Sequence, residues 1–182
     1  MKNKIQIKDK EFVTYILHDE ILKNIKRVAI QINADYKGKS PIFLAILNGS
    51  FFFASDLLKE INLNCEISFV KLASYIGTTT TGQVKELIGI NTPLNGRDII
   101  ILEDIVDSGK TMKSLLYQIE QHFPSSVKLA TLLFKKEALI EDVNPDYVGF
   151  TVTNEFLVGY GLDYDQFGRN LKDIYILDED RK

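Results

Sequence analysis

Three short, mostly apolar runs constrain the fold of this chain most strongly. They span Ile42–Leu47, Asp98–Leu102 and Val127–Phe134. Unbroken apolar runs of this length are typical of strands that are covered on both faces, as the strands of a parallel sheet are. Segments with helical spacing separate the runs, so strands and helices alternate along the chain. The alternation predicts an α/β fold with a mainly parallel twisted sheet and helices on both faces.

Three helices are predicted between and before these strands. Apolar residues recur with the 3.6-residue period of a helix from Asp19 to about Tyr36, and Asp19 is placed to cap the start. The segment Phe51–Lys59 follows a turn and is expected to pack back onto the sheet. A third helix is expected from Ser108 to about His122.

Shorter segments are expected to complete the fold. Apolar and polar residues alternate from Cys65 to Phe69, which predicts a further strand. The segment Tyr75–Gln83 is rich in threonine and is interpreted as a long mobile loop that could act as a lid. Three apolar segments are expected to complete the sheet or a small hood beside it: Tyr147–Phe150, Glu155–Val158 and Ile174–Leu177.

Length and composition favour a single cytoplasmic domain. We expect residues 1–182 to form one domain, with a core at about 12–135 and a small hood from segment 136–178. The net charge of −3 and the pI near 5.5 argue against a broad nucleic-acid-binding face. The single cysteine, Cys65, excludes an intrachain disulfide and suits a reducing compartment. Neither a secretion signal nor a membrane-spanning run is apparent.

A cluster of polar residues follows the second apolar run. Glu103 and Asp104 are adjacent carboxylates, and Asp107-Ser108-Gly109-Lys110-Thr111 is expected to form a tight loop that opens a helix. Backbone N–H groups, hydroxyls and the helix dipole in such a loop make an anion pocket sized for a phosphate. The carboxylates could accept hydrogen bonds from ribose hydroxyls or hold Mg²⁺.

Two other interpretations of this cluster explain less. Gly109-Lys110-Thr111 matches the end of the P-loop pattern G-x-x-x-x-G-K-[ST], but that pattern requires glycine where Asp104 stands, and a carboxylate there would repel the phosphates. Alternatively, Asp107 or Ser108 merely caps a helix while the acids are solvated. Capping accounts for one residue but not for acids, glycine and hydroxyls at one strand end.

The segment Glu103–Thr111 resembles the phosphoribosyl-pyrophosphate motif of type I phosphoribosyltransferases. From about residue 12 to 178 the chain is similar to the hypoxanthine-guanine phosphoribosyltransferases within that family. The supporting motifs are Leu47-Asn48-Gly49-Ser50, Ser74-Tyr75, Lys135, Pro145–Phe150, Phe156–Asp163 and Arg169.

The resemblance implies an activity in purine salvage. The enzyme would transfer 5-phosphoribosyl from phosphoribosyl pyrophosphate to hypoxanthine and guanine, giving IMP or GMP and pyrophosphate. It would use Mg²⁺ and form a homodimer or homotetramer. Two alternatives stay open: a phosphoribosyltransferase that prefers xanthine, and a non-catalytic regulator that senses nucleotides with the same fold.

The resemblance also assigns roles to the central motif. Glu103 and Asp104 would bind the ribose hydroxyls and, mainly through water, a magnesium ion. Asp107 would take the proton from purine N7 as N9 attacks the anomeric carbon. The 5-phosphate would be cradled by Asp107, Ser108, Gly109, Lys110 and Thr111.

Further roles fall on residues outside that motif, and the resemblance implies that the hood at 136–178 binds the purine. Lys135 would hydrogen-bond the purine 6-oxygen, Phe156 would stack on the base, and Leu157 would offer its backbone carbonyl to a 2-amino group. Asp163, beside the purine site, would contact a second Mg²⁺ on the pyrophosphate. Pyrophosphate binding would involve Asn48, Gly49, Ser74, Tyr75 and Arg169.

One position departs from the family pattern. Asn48 stands where lysine is frequent in the family, so its side chain offers an amide donor but no charge. The backbone of Asn48 and Gly49 can still serve the pyrophosphate, at a place where the family often has a strained or cis peptide.

Overall fold

A computed structural model describes residues 3–73 and 85–178. Its helices are α1 (His18–Asp35), α2 (Phe51–Lys59) and α3 (Lys110–Glu120), with a short 3₁₀ turn at Lys136–Ala138. Its strands are β1 (Lys4–Ile7), β2 (Lys10–Ile16), β3 (Ile42–Leu47), β4 (Glu66–Ala73), β5 (Lys85–Ile88), β6 (Asp98–Val106), β7 (Ser126–Phe134), β8 (Tyr147–Thr151), β9 (Leu157–Val158) and β10 (Ile174–Leu177). The predicted loop Tyr75–Gln83 lies outside the described residues.

The large sheet has the strand order β5-β4-β3-β6-β7-β8. Its strands β4, β3, β6, β7 and β8 are parallel, and β5 adds an antiparallel edge. The three apolar runs are its central strands, which confirms the predicted parallel sheet. Their carboxyl ends meet at one edge, where ligands bind in sheets of this kind.

Helices cover both faces of this sheet, as predicted. Phe43 and Ala45 face the core beneath α1 and α2, while Ile42 and Leu44 face the core beneath α3. All four side chains are fully buried. Burial on both faces explains why the run is continuous rather than alternating. Within the described parts of the chain, no helix is long and apolar enough to cross a membrane.

A second, antiparallel sheet has the order β1-β2-β10-β9. It draws strands from both ends of the chain. The sequence did not predict β1 and β2, in which lysine and other polar side chains interrupt the apolar residues and leave no continuous apolar run. Of the three segments left open, Tyr147–Thr151 joins the large sheet, and the other two join the small one. The segment 136–178 therefore contributes to both sheets.

Several predicted element boundaries differ from the structure, and two of them are explained by specific contacts. Asp19 lies in the first turn of α1 and does not cap it; instead the buried Asp173 carboxylate accepts a hydrogen bond of 2.8 Å from the His18 backbone N–H. Strand β6 runs on to Val106 rather than ending at Leu102, because pairing with β7 continues to that residue. The two carboxylates that follow Leu102 therefore lie within the strand.

Candidate active site

Glu103 and Asp104 form a carboxylate pair near the end of β6. Asp104 is buried, and the Oε2 atom of Glu103 is buried without a hydrogen-bond partner in the described structure. Burial and the neighbouring charge of Asp104 raise the pKa of Glu103 well above its usual range. Burial also raises the pKa of Asp104, although the charge of Arg169 nearby opposes that shift. A buried acid pair of this kind is a favourable place for a cation.

The turn that follows β3 packs directly on this pair. A Cβ atom added to Gly49 would lie 1.7 Å from Oδ2 of Asp104, so no larger residue fits without movement. The Leu47–Asn48 peptide bond is cis, and the Asn48 side chain is exposed. The fully buried Ser50 hydroxyl donates to the carbonyl of Ile46 at 2.6 Å. The turn at 48–50 thus brings backbone groups against the β6 acids.

The 107–111 loop joins β6 to α3. Gly109 precedes the helix with a φ of 78°, a conformation that favours glycine. The N-cap residue of α3 is Gly109 rather than Asp107 or Ser108, so helix capping does not explain these two residues. A cavity of about 150 Å³ opens at the loop, lined by Glu103, Ile105, Val106, Asp107, Ser108, Gly109, Thr111 and Met112. The helix N-terminus and the hydroxyls make the cavity suitable for an anion.

Lys135 follows β7 and contacts Asp107. Its Nζ atom donates to Oδ2 of Asp107 at 3.2 Å, and its backbone N–H donates to the carbonyl of Val106 at 2.9 Å. The Lys135 side chain is 9% exposed, whereas that of Asp107 is 51% exposed. The contact therefore presents a cationic donor and an anionic acceptor side by side, with Asp107 open to solvent.

The loop 159–169 packs against the carbonyl of Gly49 in the 48–50 turn. Gly161 has a φ of 101°, and a Cβ atom there would lie 2.0 Å from the carbonyl oxygen of Gly49. Arg169 donates to the carbonyl of Gly161 at 2.8 Å and pairs with Asp163 at 2.5 Å. The backbone N–H of Gly161 donates in turn to the carbonyl of Arg169. Arg169 thereby holds Asp163 and the loop in place beside the turn.

Phe156 immediately precedes β9 and is 43% exposed. It packs against the rings of Phe12 and Tyr164, at centroid distances of 6.3 Å and 5.8 Å. A hydrogen bond with Thr153 and, more weakly, the charge of Lys135 lower the pKa of the adjacent Glu155. The exposed aromatic ring therefore belongs to a segment that runs beside Lys135.

Comparisons with known proteins agree on one family. A phosphoribosyl transferase domain model matches residues 14–165. The hypoxanthine-guanine phosphoribosyltransferase of Streptococcus agalactiae serotype V is 43% identical over 169 residues, covering 92% of this chain and 93% of the relative. The chain belongs to the hypoxanthine-guanine phosphoribosyltransferase family.

Solved structures of this family have the same fold. The Bacillus anthracis hypoxanthine-guanine phosphoribosyltransferase is 38% identical with a TM-score of 0.85, over 91% of this chain and 96% of the other. The Trypanosoma cruzi hypoxanthine phosphoribosyltransferase is 32% identical with a TM-score of 0.88, over 96% and 95% of the two chains.

The structure brings most of the candidate residues to one edge of the large sheet. The acids of β6, the 107–111 loop and Lys135 follow adjacent parallel strands, and Gly49 and Arg169 close the same region. Leu157 is buried in the small sheet, and Lys110 is exposed at the start of α3. Ser74 and Tyr75 lie outside the described residues.

Two contributors had no role in the sequence-based view of this phosphoribosyltransferase. Gly161 seats its loop on Gly49, and the only sequence signal is its place between Tyr160 and Leu162 in a glycine-rich motif. The segment 139–143 packs behind the 107–111 loop, and no local pattern marks it.

Proposed function

We propose that this chain catalyses the transfer of a 5-phosphoribosyl group from phosphoribosyl pyrophosphate to hypoxanthine or guanine. The products are IMP or GMP and pyrophosphate, so the reaction salvages free purine bases. The names of the relatives support this activity. The observation that carries it is the contact between Lys135 and Asp107 at the end of the large sheet.

The Lys135–Asp107 contact matches one edge of a 6-oxopurine. The 6-oxygen is an acceptor and N7 is its neighbour on the same edge. An ammonium donor on the oxygen and a carboxylate on an N7 proton satisfy both groups at once. Adenine would place its 6-amino donor against the lysine, so two donors would meet and binding would weaken.

Asp107 is suited to take part in the transfer itself. As purine N9 bonds to the anomeric carbon, the bond from that carbon to pyrophosphate breaks and the N7 proton passes to the Asp107 carboxylate. Before the proton arrives, its negative charge stabilises the positive charge that develops on the sugar. Phe156 offers its exposed ring to the base, and the backbone carbonyl of Leu157 is assigned to the 2-amino group.

The remaining contacts would hold the phosphoribosyl pyrophosphate. The 5-phosphate binds in the 107–111 loop at the N-terminus of α3. Gly49 and Arg169 serve the pyrophosphate, with Asn48, Ser74 and Tyr75 assigned to it by family resemblance. In this arrangement the sugar lies between the loop and the 48–50 turn.

Magnesium is the cofactor that suits these carboxylates. Asp104 is buried and Glu103 is half-buried, and the pKa values of both are raised, so a cation bound directly or through water would relieve their mutual repulsion. When bound, Mg²⁺ would neutralise charge on the departing pyrophosphate. Asp163 is assigned to a second Mg²⁺, at a separate place on the 159–169 loop.

The wider assignments are also proposals. The chain would act as a single domain in the cytoplasm, and as a homodimer or homotetramer. The domain model that spans most of the chain supports the first statement, and the lone cysteine is compatible with a reducing compartment.

The test is turnover with Mg²⁺, phosphoribosyl pyrophosphate and four separate bases: hypoxanthine, guanine, xanthine and adenine. We expect monophosphate formation with hypoxanthine and guanine. Turnover with xanthine only would favour the xanthine-preferring alternative, and no turnover with any 6-oxopurine would reject the proposed activity.

A further inference from the structure

The backbone of the 107–111 loop is anchored from behind by residues outside the motif. The carbonyl oxygen of Ser108 accepts two hydrogen bonds, from the N–H of Ile140 at 3.0 Å and from the N–H of Glu141 at 3.2 Å. Two donors on one carbonyl fix the orientation of the peptide that joins Ser108 to Gly109. The conformation of the loop therefore depends on a segment more than thirty residues away.

Side-chain packing strengthens this anchor. A Cβ atom added to Gly109 would lie 3.4 Å from atoms of Leu139, Glu141 and Val143, so these three side chains surround the space beside the glycine. Val143 is buried in the core beneath α3, and Leu139 packs against the same core. The segment 139–143 is thus anchored in the core beneath α3 and packs against the 107–111 loop at Gly109.

Glu141 makes the additional contact that joins the segment to α3. Its carboxylate accepts a hydrogen bond of 2.5 Å from Nζ of Lys113. The backbone N–H of Lys113 donates to the carbonyl of Gly109, which opens the helix. Glu141 therefore contacts the loop on one side through its backbone and the first turn of α3 through its carboxylate.

The same stretch of chain begins at the lysine assigned to the purine. The N–H of Ala138 donates to the carbonyl of Lys135 at 3.0 Å, and the chain then passes through Leu139 to Glu141. The segment 135–143 consequently links the purine-reading residue to the 107–111 loop. Transfer needs the base and the anomeric carbon at a fixed separation, which this link can set.

We propose that Glu141 is a positioning residue that holds the 107–111 loop in the conformation that binds the 5-phosphate. The inference rests on the proposed function. Glu141 touches neither substrate; it acts through Ser108 and Lys113. Its loss should therefore weaken the binding of phosphoribosyl pyrophosphate and leave the binding of the purine base nearly unchanged.

The first test separates the carboxylate contact from general stability. Glu141→Ala and Lys113→Ala should each raise the KM for phosphoribosyl pyrophosphate about threefold, as expected for a partly exposed ion pair. The KM for hypoxanthine should stay constant. The double variant should resemble the single variants, because both remove the same contact. The exchanged pair, Lys113→Glu with Glu141→Lys, should recover most of the loss.

The chain offers a matched control in Lys128→Ala. Lys128 pairs with Asp146 at 2.6 Å, with side-chain exposures of 47% and 29% against 62% and 28% for Lys113 and Glu141. This pair lies at the far end of β7 from the loop. Its loss should leave both KM values unchanged, whatever its effect on the melting temperature.

A stronger variant removes a backbone donor. Ile140→Pro deletes one N–H donor to Ser108, and the extended backbone of Leu139, with a ψ of 130°, accepts a following proline. We expect the KM for phosphoribosyl pyrophosphate to rise about tenfold, in line with the loss of a backbone hydrogen bond. If this variant does not fold, the charge variants decide the question.

The outcomes distinguish this inference from the proposed function. An inactive wild-type chain would reject the function itself. An active wild-type chain whose Glu141→Ala and Lys113→Ala variants keep the wild-type KM for phosphoribosyl pyrophosphate would overturn the positioning role. Equal increases in both KM values would overturn it too, since they would indicate a general loss of structure.

Discussion

Two elements that contact the 48–50 turn carry acidic residues: strand β6 carries Glu103 and Asp104, and the 159–169 loop carries Asp163. The two elements differ in what balances the negative charge. Glu103 and Asp104 are part of a core strand, and their pKa values are raised by burial. Asp163 is part of the 159–169 loop and pairs with Arg169 at 2.5 Å. One oxygen at the strand end, Oε2 of Glu103, thus has no hydrogen-bond partner in the described structure, whereas the acid of the loop is paired with Arg169.

This difference assigns the two regions different work. An acid pair in which one buried oxygen lacks a hydrogen-bond partner is stabilised by a ligand that brings positive charge or hydroxyl donors. The strand end is therefore suited to binding and chemistry. The 159–169 loop, in which Arg169 and Asp163 form an ion pair, is preorganised and forms the side of the site that packs on Gly49. Variants on the strand side should therefore mainly change turnover, and variants in the loop should mainly change substrate affinity.

The largest effect is expected at Asp107, on the strand side. Asp107→Asn keeps the shape of a half-exposed side chain but removes the proton acceptor, so kcat should fall by roughly 10²–10⁴-fold with the fold intact. Steady-state kinetics with hypoxanthine measure this effect, and circular dichroism checks the fold. Full retention of kcat would remove Asp107 from the role of base.

Gly49→Ala should have the second-largest effect, because Gly49 lies between Asp104 of β6 and the 159–169 loop. The added Cβ would lie 1.7 Å from Oδ2 of Asp104, so the turn or the carboxylate must move. We expect kcat/KM for phosphoribosyl pyrophosphate to fall by about 10²-fold, the usual cost of misplacing a reacting group by about 1 Å.

Gly38→Ala is the control for a glycine substitution. An added Cβ there meets no atom of the described structure within 4 Å, so only the strain of its positive φ remains. It should leave kinetics unchanged. Equal kinetic losses for Gly38→Ala and Gly49→Ala would contradict the proposed contact with Asp104.

Arg169→Lys tests the loop side. One ammonium group cannot reproduce the planar fork that reaches both the Gly161 carbonyl and Asp163. The KM for phosphoribosyl pyrophosphate should rise about tenfold, as the loss of one charged hydrogen bond predicts. A drop in kcat with no change in KM would indicate that the loop takes part in chemistry rather than binding.

The smallest effect is one of stability at the strand end. The folded protein raises the pKa of Glu103, so the ionised carboxylate is less favourable in the fold than in the unfolded chain. This group therefore supports stability below its unfolded pKa, and that support is lost as the pH rises through the raised folded value. Glu103→Gln should accordingly stabilise the free protein at neutral pH by about 1–2 kcal/mol.

Thermal unfolding at about pH 8 and about pH 4 checks the sign of this prediction, since an ordinary glutamate, with a pKa of about 4.3, is ionised at the first pH and mostly protonated at the second. The gain in Tm should be present at the higher pH and fade at the lower one. A variant that is less stable than wild type at both values would show that Glu103 is satisfied in the free protein.

The sequence predicts the large sheet and its central motif better than it predicts the small antiparallel sheet, for a physical reason. Local apolar runs indicate the strands β3 and β7, and residues 103–111 contain their acids, glycine and hydroxyls in one continuous stretch. The strands β1 and β2 carry no continuous apolar run, and β2 pairs with β10 from the far end of the chain, so both lack the local signal that marks β3 and β7.

Long-range contacts account for what the sequence left open at the site. The packing of Gly161 on Gly49, and of Glu141 behind Ser108, joins residues far apart in the chain, and neither residue type signals its partner. Lys135 gained a role only through family resemblance, because a lysine at a strand end is usually an ordinary surface charge. Its burial and its contact with Asp107 emerged from the structure.

The most direct test of the account is a competition between hypoxanthine and adenine in one mixture with Mg²⁺ and limiting phosphoribosyl pyrophosphate. The Lys135–Asp107 contact fits a 6-oxygen and rejects a 6-amino group, and we attribute the choice of base to this contact. We predict that IMP exceeds AMP by at least about 10²-fold, the discrimination expected when buried donors would be left facing each other. Comparable amounts of IMP and AMP would contradict this assignment.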